Sequence, residues 1–190
     1  MDTNKELNRR KSLALAAALP LAAAWQPALA AGGRFDQQRG FDFLIGEWRV
    51  RHRKLRKRLA GNHEWFDFPG TLSVSPILNG AGNFDRNELS DPSGPYEAHS
   101  LRLFSTATGH WSIWWLDGRA PALDPPVVGR FEGKRGTFFA DDVFAGRPIR
   151  VRTTYEPLSP TIAQWTQAFS DDGERSWETN WIMDFTRAKQ

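Results

Sequence analysis

The feature that most constrains this chain is its rhythm. From Phe41 onward, short runs of alternating apolar and polar side chains are broken at fairly even intervals by Gly, Pro, Asn and Asp. Almost nothing sustains the 3.6-residue spacing of an amphipathic helix, and a period of two places successive side chains on opposite faces of a strand. The spacing predicts strands over 48–59, 64–74, 82–90, 97–105, 110–117, 127–133, 136–144, 148–156, 162–169 and 176–187, with a short helical turn at 41–46. The breaks have turn chemistry: Gly61-Asn62, Asn79-Gly80, Asp117-Gly118 and Asp172-Gly173 are residues that accept left-handed or tight-turn backbone.

Alternation also says what the strands enclose. In the last run Trp177, Thr179, Trp181, Met183 and Phe185 share one face, and Glu178, Asn180, Asp184 and Thr186 share the other. Trp165, Gln167 and Phe169 align in the run before it, and Ile149, Val151, Thr153 and Tyr155 in the one before that. "GHWSIWWLDG" (109–118) sends Trp111, Ile113 and Trp115 to one side and Trp114 and Leu116 to the other. About ten consecutive antiparallel strands leave two bare edges unless the sheet closes on itself. The predicted fold is therefore all-β: a single up-and-down antiparallel β-barrel of about ten strands with an apolar, aromatic interior.

The first thirty residues do not fit that pattern. Arg9, Arg10 and Lys11 precede an Ala/Leu-rich run from Ser12 to Trp25 and small residues Ala28-Leu29-Ala30 at an A-x-A site, the arrangement of a cleavable export signal. The paired arginines are similar to a twin-arginine signal, with Ser12 where that motif usually has Phe. The expected organisation is a signal over 1–30 and one barrel domain over 31–190, in a periplasmic or secreted protein. Residues 1–30 carry four Lys/Arg and two Asp/Glu, so the remainder has a net charge of only about +1 and no global bias toward a polyanion. Cysteine is absent, which removes disulfides, thiolate metal sites and a cysteine nucleophile. Nine Trp and thirteen Phe, all but Trp25 beyond residue 30, must supply the core instead.

"FDFLIGEW" (41–48) opens the first strand with Gly46-Glu47-Trp48, and "NWIMDFTR" (180–187) closes the last with Arg187. This pairing resembles that of the lipocalin-type (calycin) barrels, in which a first-strand Trp closes the floor and a basic residue of the last strand lies across it. With "GNFDRNELSD", "WSIWWLDGR" and "SWETNWIMDFTR", nearly all of 40–187 resembles an uncharacterised family of bacterial calycin-like β-barrel proteins. The resemblance implies a fold and no particular activity.

Polar residues on the expected inner face are the candidate site. Asn83, Asp85 and Asn87 alternate onto one side of the third strand, and polar groups inside an aromatic barrel must be satisfied by something. The alternative register exposes them and buries Phe84. His99, Asp117, Gln167 and Thr179 share the inner parity, and Trp111, Trp115, Trp165 and Trp181 would form stacking walls. The leading reading is a binder of a small, mostly apolar ligand, its polar end held by Asp85 with Asn83, Asn87 and His99. The alternatives are a barrel enzyme (an isomerase, cyclase or hydratase) with His99 or Asp85 as acid/base, a haem barrel with His99 as axial ligand, and a structural envelope protein. The cofactor is left unknown. No metal-ligand spacing, nucleophile elbow, P-loop or dinucleotide fingerprint is present.

"RVRHRKLRKRL" (49–59) is strongly basic, and Lys54 and Arg56 would break its alternation by pointing inward. The strand is therefore expected to leave the barrel there as a protruding arm. Arg49–Arg58 would suit an anionic envelope surface or simply guard an edge; behind an export signal, nucleic acid is not the expected partner. Outward Trp114 and Leu116 need cover, from Phe35 and Phe41 of the leading segment or from a second copy, so the protein is expected to be a monomer or homodimer.

Overall fold

The computed structural model describes residues 36–189; the export signal expected over 1–30 lies outside them. Two 3-10 turns, Gln37–Arg39 and Asp42–Leu44, lead into ten strands. These are β1 (Gly46–Leu55), β2 (Trp65–Ile77), β3 (Gly82–Leu89), β4 (Tyr96–Ser105) and β5 (His110–Asp117), followed by β6 (Val127–Glu132), β7 (Arg135–Phe144), β8 (Arg147–Ser159), β9 (Ile162–Ser170) and β10 (Glu178–Arg187). Each pairs antiparallel with its neighbours in sequence, and β10 pairs with β1 from Trp48↔Arg187 to Lys54↔Trp181. The sheet is thus a closed up-and-down barrel, as the alternation predicts. Closure leaves no full-length edge to template aggregation.

One end is plugged from within. Phe41 is buried, edge-on to Trp111, Phe131 and Tyr155 and stacked on Phe138, with centroids 4.9–5.6 Å apart. Gly40 permits this: a Cβ there would lie 2.4 Å from the Phe131 ring. Trp48 Nε1 donates to the Leu44 carbonyl at 2.7 Å. The Arg187 guanidinium lies 4.1 Å above the Trp48 ring and donates to the carbonyls of Phe43 and Ile45. A cation on the ring face combined with two carbonyl acceptors satisfies the arginine without a carboxylate.

Gly46 is required beneath that arginine. Its φ is +112°, and a Cβ would meet Arg187 Nη1 at 2.6 Å. Gly46→Ala is expected to cost about 1–3 kcal/mol through backbone strain, with further loss if Arg187 is displaced. Thermal unfolding followed by circular dichroism would show a melting temperature several degrees lower; an unchanged value would mean the floor tolerates the side chain.

The structure corrects three expectations of facing. First, the protruding arm is absent: β1 ends at Leu55, and Lys54 is buried with His52, Val50 and Trp48. The inward cation is tolerated because Asp91 and Tyr96 reach it from beyond β3 and from β4. Arg51 and Arg53 face outward against Asp67 and Asp184. Second, β10 carries a bulge between Thr179 and Trp181. Residues toward its start therefore have inverted parity. Thr179 sits opposite Ala168 on the outer side, and Trp177 lies outside between Phe139 and the Arg152 guanidinium, 4.3 Å away. Third, Phe41, expected to cover Trp114, fills the floor; Trp114 is half-buried on the outer wall opposite Leu101.

Candidate functional site

Between the floor and the opposite mouth lies a cavity of about 290 Å³. Its apolar walls come from β5, β9 and β10: Ile113, Trp115, Trp165, Trp181, Met183 and Phe185. The strand period supplies every second residue, and tryptophans project far enough to meet across the lumen. Trp181 is edge-on to both Trp165 and Trp115, at 5.2 and 5.8 Å. Asp124 and Pro125, from the loop joining β5 to β6, lie at the mouth side with Asp141 and Asp142.

The polar wall is built by β3, β4 and β8. Register places Asp85 opposite Ser100 and Asn83 opposite Arg102, so β3 and β4 present their polar rows to the same interior. Asp85 Oδ1 accepts from the Ser100 backbone N–H and from Asn87 Nδ2, both at 2.7 Å. Its Oδ2 lies 2.6 Å from Arg102 Nη1, an ion pair with both side chains almost wholly buried. Arg102 Nη1 donates to Asn83 Oδ1 at 3.0 Å, and Nη2 donates to the Tyr155 hydroxyl at 3.2 Å. Burial opposes the guanidinium charge, but Tyr155 and Asp85 beside it raise its pKa above the ordinary arginine value. Burial also raises the pKa of the Tyr155 hydroxyl.

This wall is not internally saturated. Asn87 Oδ1, Arg102 Nε and Thr153 Oγ1 are buried without a hydrogen-bond partner in the protein, and all three residues line the cavity. Buried polar groups are normally paired, so an unpaired set facing one cavity is the chemical signature of a binding wall.

Of the residues expected at the site, Asp85, Asn87, Trp115, Trp165, Gln167 and Trp181 line the cavity together. Asn83 stands behind Arg102 as its acceptor. Trp111 is not a stacking wall: it is 1% exposed in the floor, its Nε1 donating to the Gln37 carbonyl. Asp117 binds Arg119 beside the mouth. Thr179 faces outward because of the bulge. His99 is the largest correction. It faces outward, stacked on Phe84 at 4.9 Å, with Nδ1 against the Asp85 carbonyl and Nε2 against Glu97. The inner face of β4 is Ala98, Ser100 and Arg102, and Leu101 and Leu103 share the outer side with His99. His99 therefore cannot serve as acid/base or as an axial haem ligand for anything inside the barrel.

Sequence reasoning missed a second polar cluster alongside the cavity. Lys54 Nζ reaches Asp91 at 3.3 Å and Tyr96 Oη at 3.0 Å, and lies 4.0 Å from the Trp181 centroid. Burial pulls its pKa down to about 8, against the opposing pull of Asp91. Burial also brings the Tyr96 pKa up to about 12. His52 is fully buried, stacked on Phe68 at 4.6 Å and accepting from Trp181 Nε1 through Nδ1 at 3.3 Å. Burial, and after it the Lys54 charge, lowers its pKa to about 3. The available signal was the inward parity of 52 and 54 in a strand whose odd positions 49, 51 and 53 are Arg.

No protein-family model and no curated protein matches the chain. Among solved structures it is similar to a redesigned β-barrel, at 11% identity and a TM-score of 0.43 over 80% of this chain and 96% of that one. It is also similar to a de novo designed fluorescence-activating β-barrel, at 13% identity and a TM-score of 0.42 over 77% and 95% of the two chains.

Proposed function

We propose that this barrel binds a small, mostly apolar molecule in its interior. The observation that carries the reading is the cavity itself: about 290 Å³, walled by three tryptophans and faced by buried polar atoms without partners. A dry apolar cavity of ~150 Å³ is large enough for benzene, so this space suits a two-ring ligand. A structural barrel would gain by filling it, since each unfilled methyl-sized void lowers stability. The reading includes a lipocalin-like (calycin) relationship, supported by Trp48 and Arg187 at the floor, and export, supported by residues 9–30 alone.

Acid–base chemistry is the less favoured reading. Asp85 is committed to Arg102, Ser100 and Asn87, and His99 is outside. Titration with naphthalene, followed by quenching of the wall tryptophans, is expected to show saturable binding. Ala140→Trp, which fills the cavity from β7, should weaken it at least tenfold while the far-ultraviolet circular dichroism stays unchanged. Equal binding by both proteins would place the ligand elsewhere.

A further inference from the structure

We infer that the cavity selects a neutral ligand carrying a hydroxyl or N–H donor, and rejects the carboxylate of the same shape. This rests on the binding reading above and adds the chemistry of the polar end. A buried arginine facing an apolar lumen would ordinarily invite a carboxylate. Here the barrel supplies its own. Asp85, 2.6 Å from Arg102 Nη1, already balances the guanidinium, whose Nη atoms donate to Asn83 and Tyr155. A ligand carboxylate would bring a second negative charge beside Asp85, and Arg102, the cation in the cavity lining, already has its charge balanced by that carboxylate. Desolvating an unpaired charge is strongly unfavourable. Lys54 does not help, being held by Asp91 and Tyr96 behind the Trp181 ring. The mouth adds Asp124, Asp141 and Asp142, with Arg150 taken by Asp141 and Glu174.

The unpaired atoms ask for a neutral group that donates to Asn87 Oδ1 and can accept from Arg102 Nε, as a hydroxyl does. Asn87 must turn Nδ2 toward Asp85 Oδ1, an acceptor, which leaves Asn87 Oδ1 as an acceptor without a donor. Asp85 Oδ2 has capacity beyond its ion pair, and Thr153 Oγ1 can accept or donate. A cationic amine would satisfy the acceptors but would set its charge against Arg102. A neutral hydroxyl or N–H meets the acceptors with no charge to desolvate. A site built around a substrate hydroxyl discriminates strongly against the analogue lacking it, because its own polar groups are then left unpaired.

The test compares naphthalene, 2-naphthol and 2-naphthoate on the wild-type protein at pH 7 by isothermal titration calorimetry. The inference expects 2-naphthol to bind at least tenfold tighter than naphthalene, and 2-naphthoate at least tenfold weaker than 2-naphthol. Asn87→Leu should erase the advantage of 2-naphthol while retaining naphthalene, which also shows that the variant is folded. Asp85→Asn, which removes the charge balancing Arg102 and keeps the side-chain shape, should improve 2-naphthoate relative to 2-naphthol by at least tenfold. Naphthalene binding with no preference for 2-naphthol, or tight wild-type binding of 2-naphthoate, overturns the inference and leaves the binding reading intact. No heat from any of the three overturns both.

Discussion

Replacing Arg102 with leucine is expected to lower the stability of the barrel by about 3–5 kcal/mol, the range for removing one partner of a buried ion pair. The mechanism is the charge left behind. Asp85 has no exposure to water, and Arg102 is the cation against it. Asn83 Oδ1 loses its donor in the same step. The companion experiment is the double variant Asp85→Leu with Arg102→Leu. Replacing a buried pair with apolar groups is often neutral or stabilising, so the double variant should recover most of what the single one loses. Urea unfolding monitored by tryptophan fluorescence measures both. A single-variant loss below about 1 kcal/mol would show that water reaches Asp85 and that the pair does not organise the polar wall.

Acid should produce the second large effect. His52 is held neutral, its pKa lowered to about 3 by burial and by Lys54. In the unfolded chain it returns to about 6.5. Between those values the unfolded state binds a proton that the folded state refuses, so stability falls as pH drops through 6.5 and levels off below 3. At 1.36 kcal/mol per pH unit the loss is on the order of 4–5 kcal/mol. His52→Phe keeps the stack on Phe68 and should flatten the denaturation midpoint between pH 6.5 and 4 relative to wild type. A midpoint with the same pH dependence in both proteins would assign the acid sensitivity to other groups. Lys54 acts on the alkaline side in the same sense. Its folded pKa of about 8 lies below its unfolded value, so its contribution to stability rises as pH increases from 8 toward 10.5.

Strand number, turn positions and closure were legible because each rests on local chemistry: alternation within a run and Gly or Asn between runs. The walls from β8 and β9 were legible for the same reason. What failed depended on partners distant in sequence. "HSLRLF" reads as an apolar odd face with a solvated Arg102. Only the register Asp85↔Ser100 and Asn83↔Arg102 reveals that the arginine is the inner residue, because its counterion stands on the neighbouring strand. Placing Asn83, Asp85 and Asn87 inside already implied a cation to balance them, and that was the signal for Arg102. The bulge before Trp181 is a one-residue shift with no turn residue to announce it, and it moved Trp177 and Thr179 to the outer side. Lys54 reads as part of an arm because a lysine inside an aromatic lumen is unfavourable unless Asp91 and Tyr96, distant in sequence, arrive to meet it.

The seam between β1 and β10 also bears on how the molecule is made. Trp48 meets Arg187 only after all ten strands have been synthesised. Until then the nascent sheet has two unsatisfied margins, arginine-rich β1 and the last strand already made. Joining partners this remote is entropically expensive and slow. The outward arginines of β1 keep that waiting margin charged, and so poorly suited to stick to another molecule's strands during assembly.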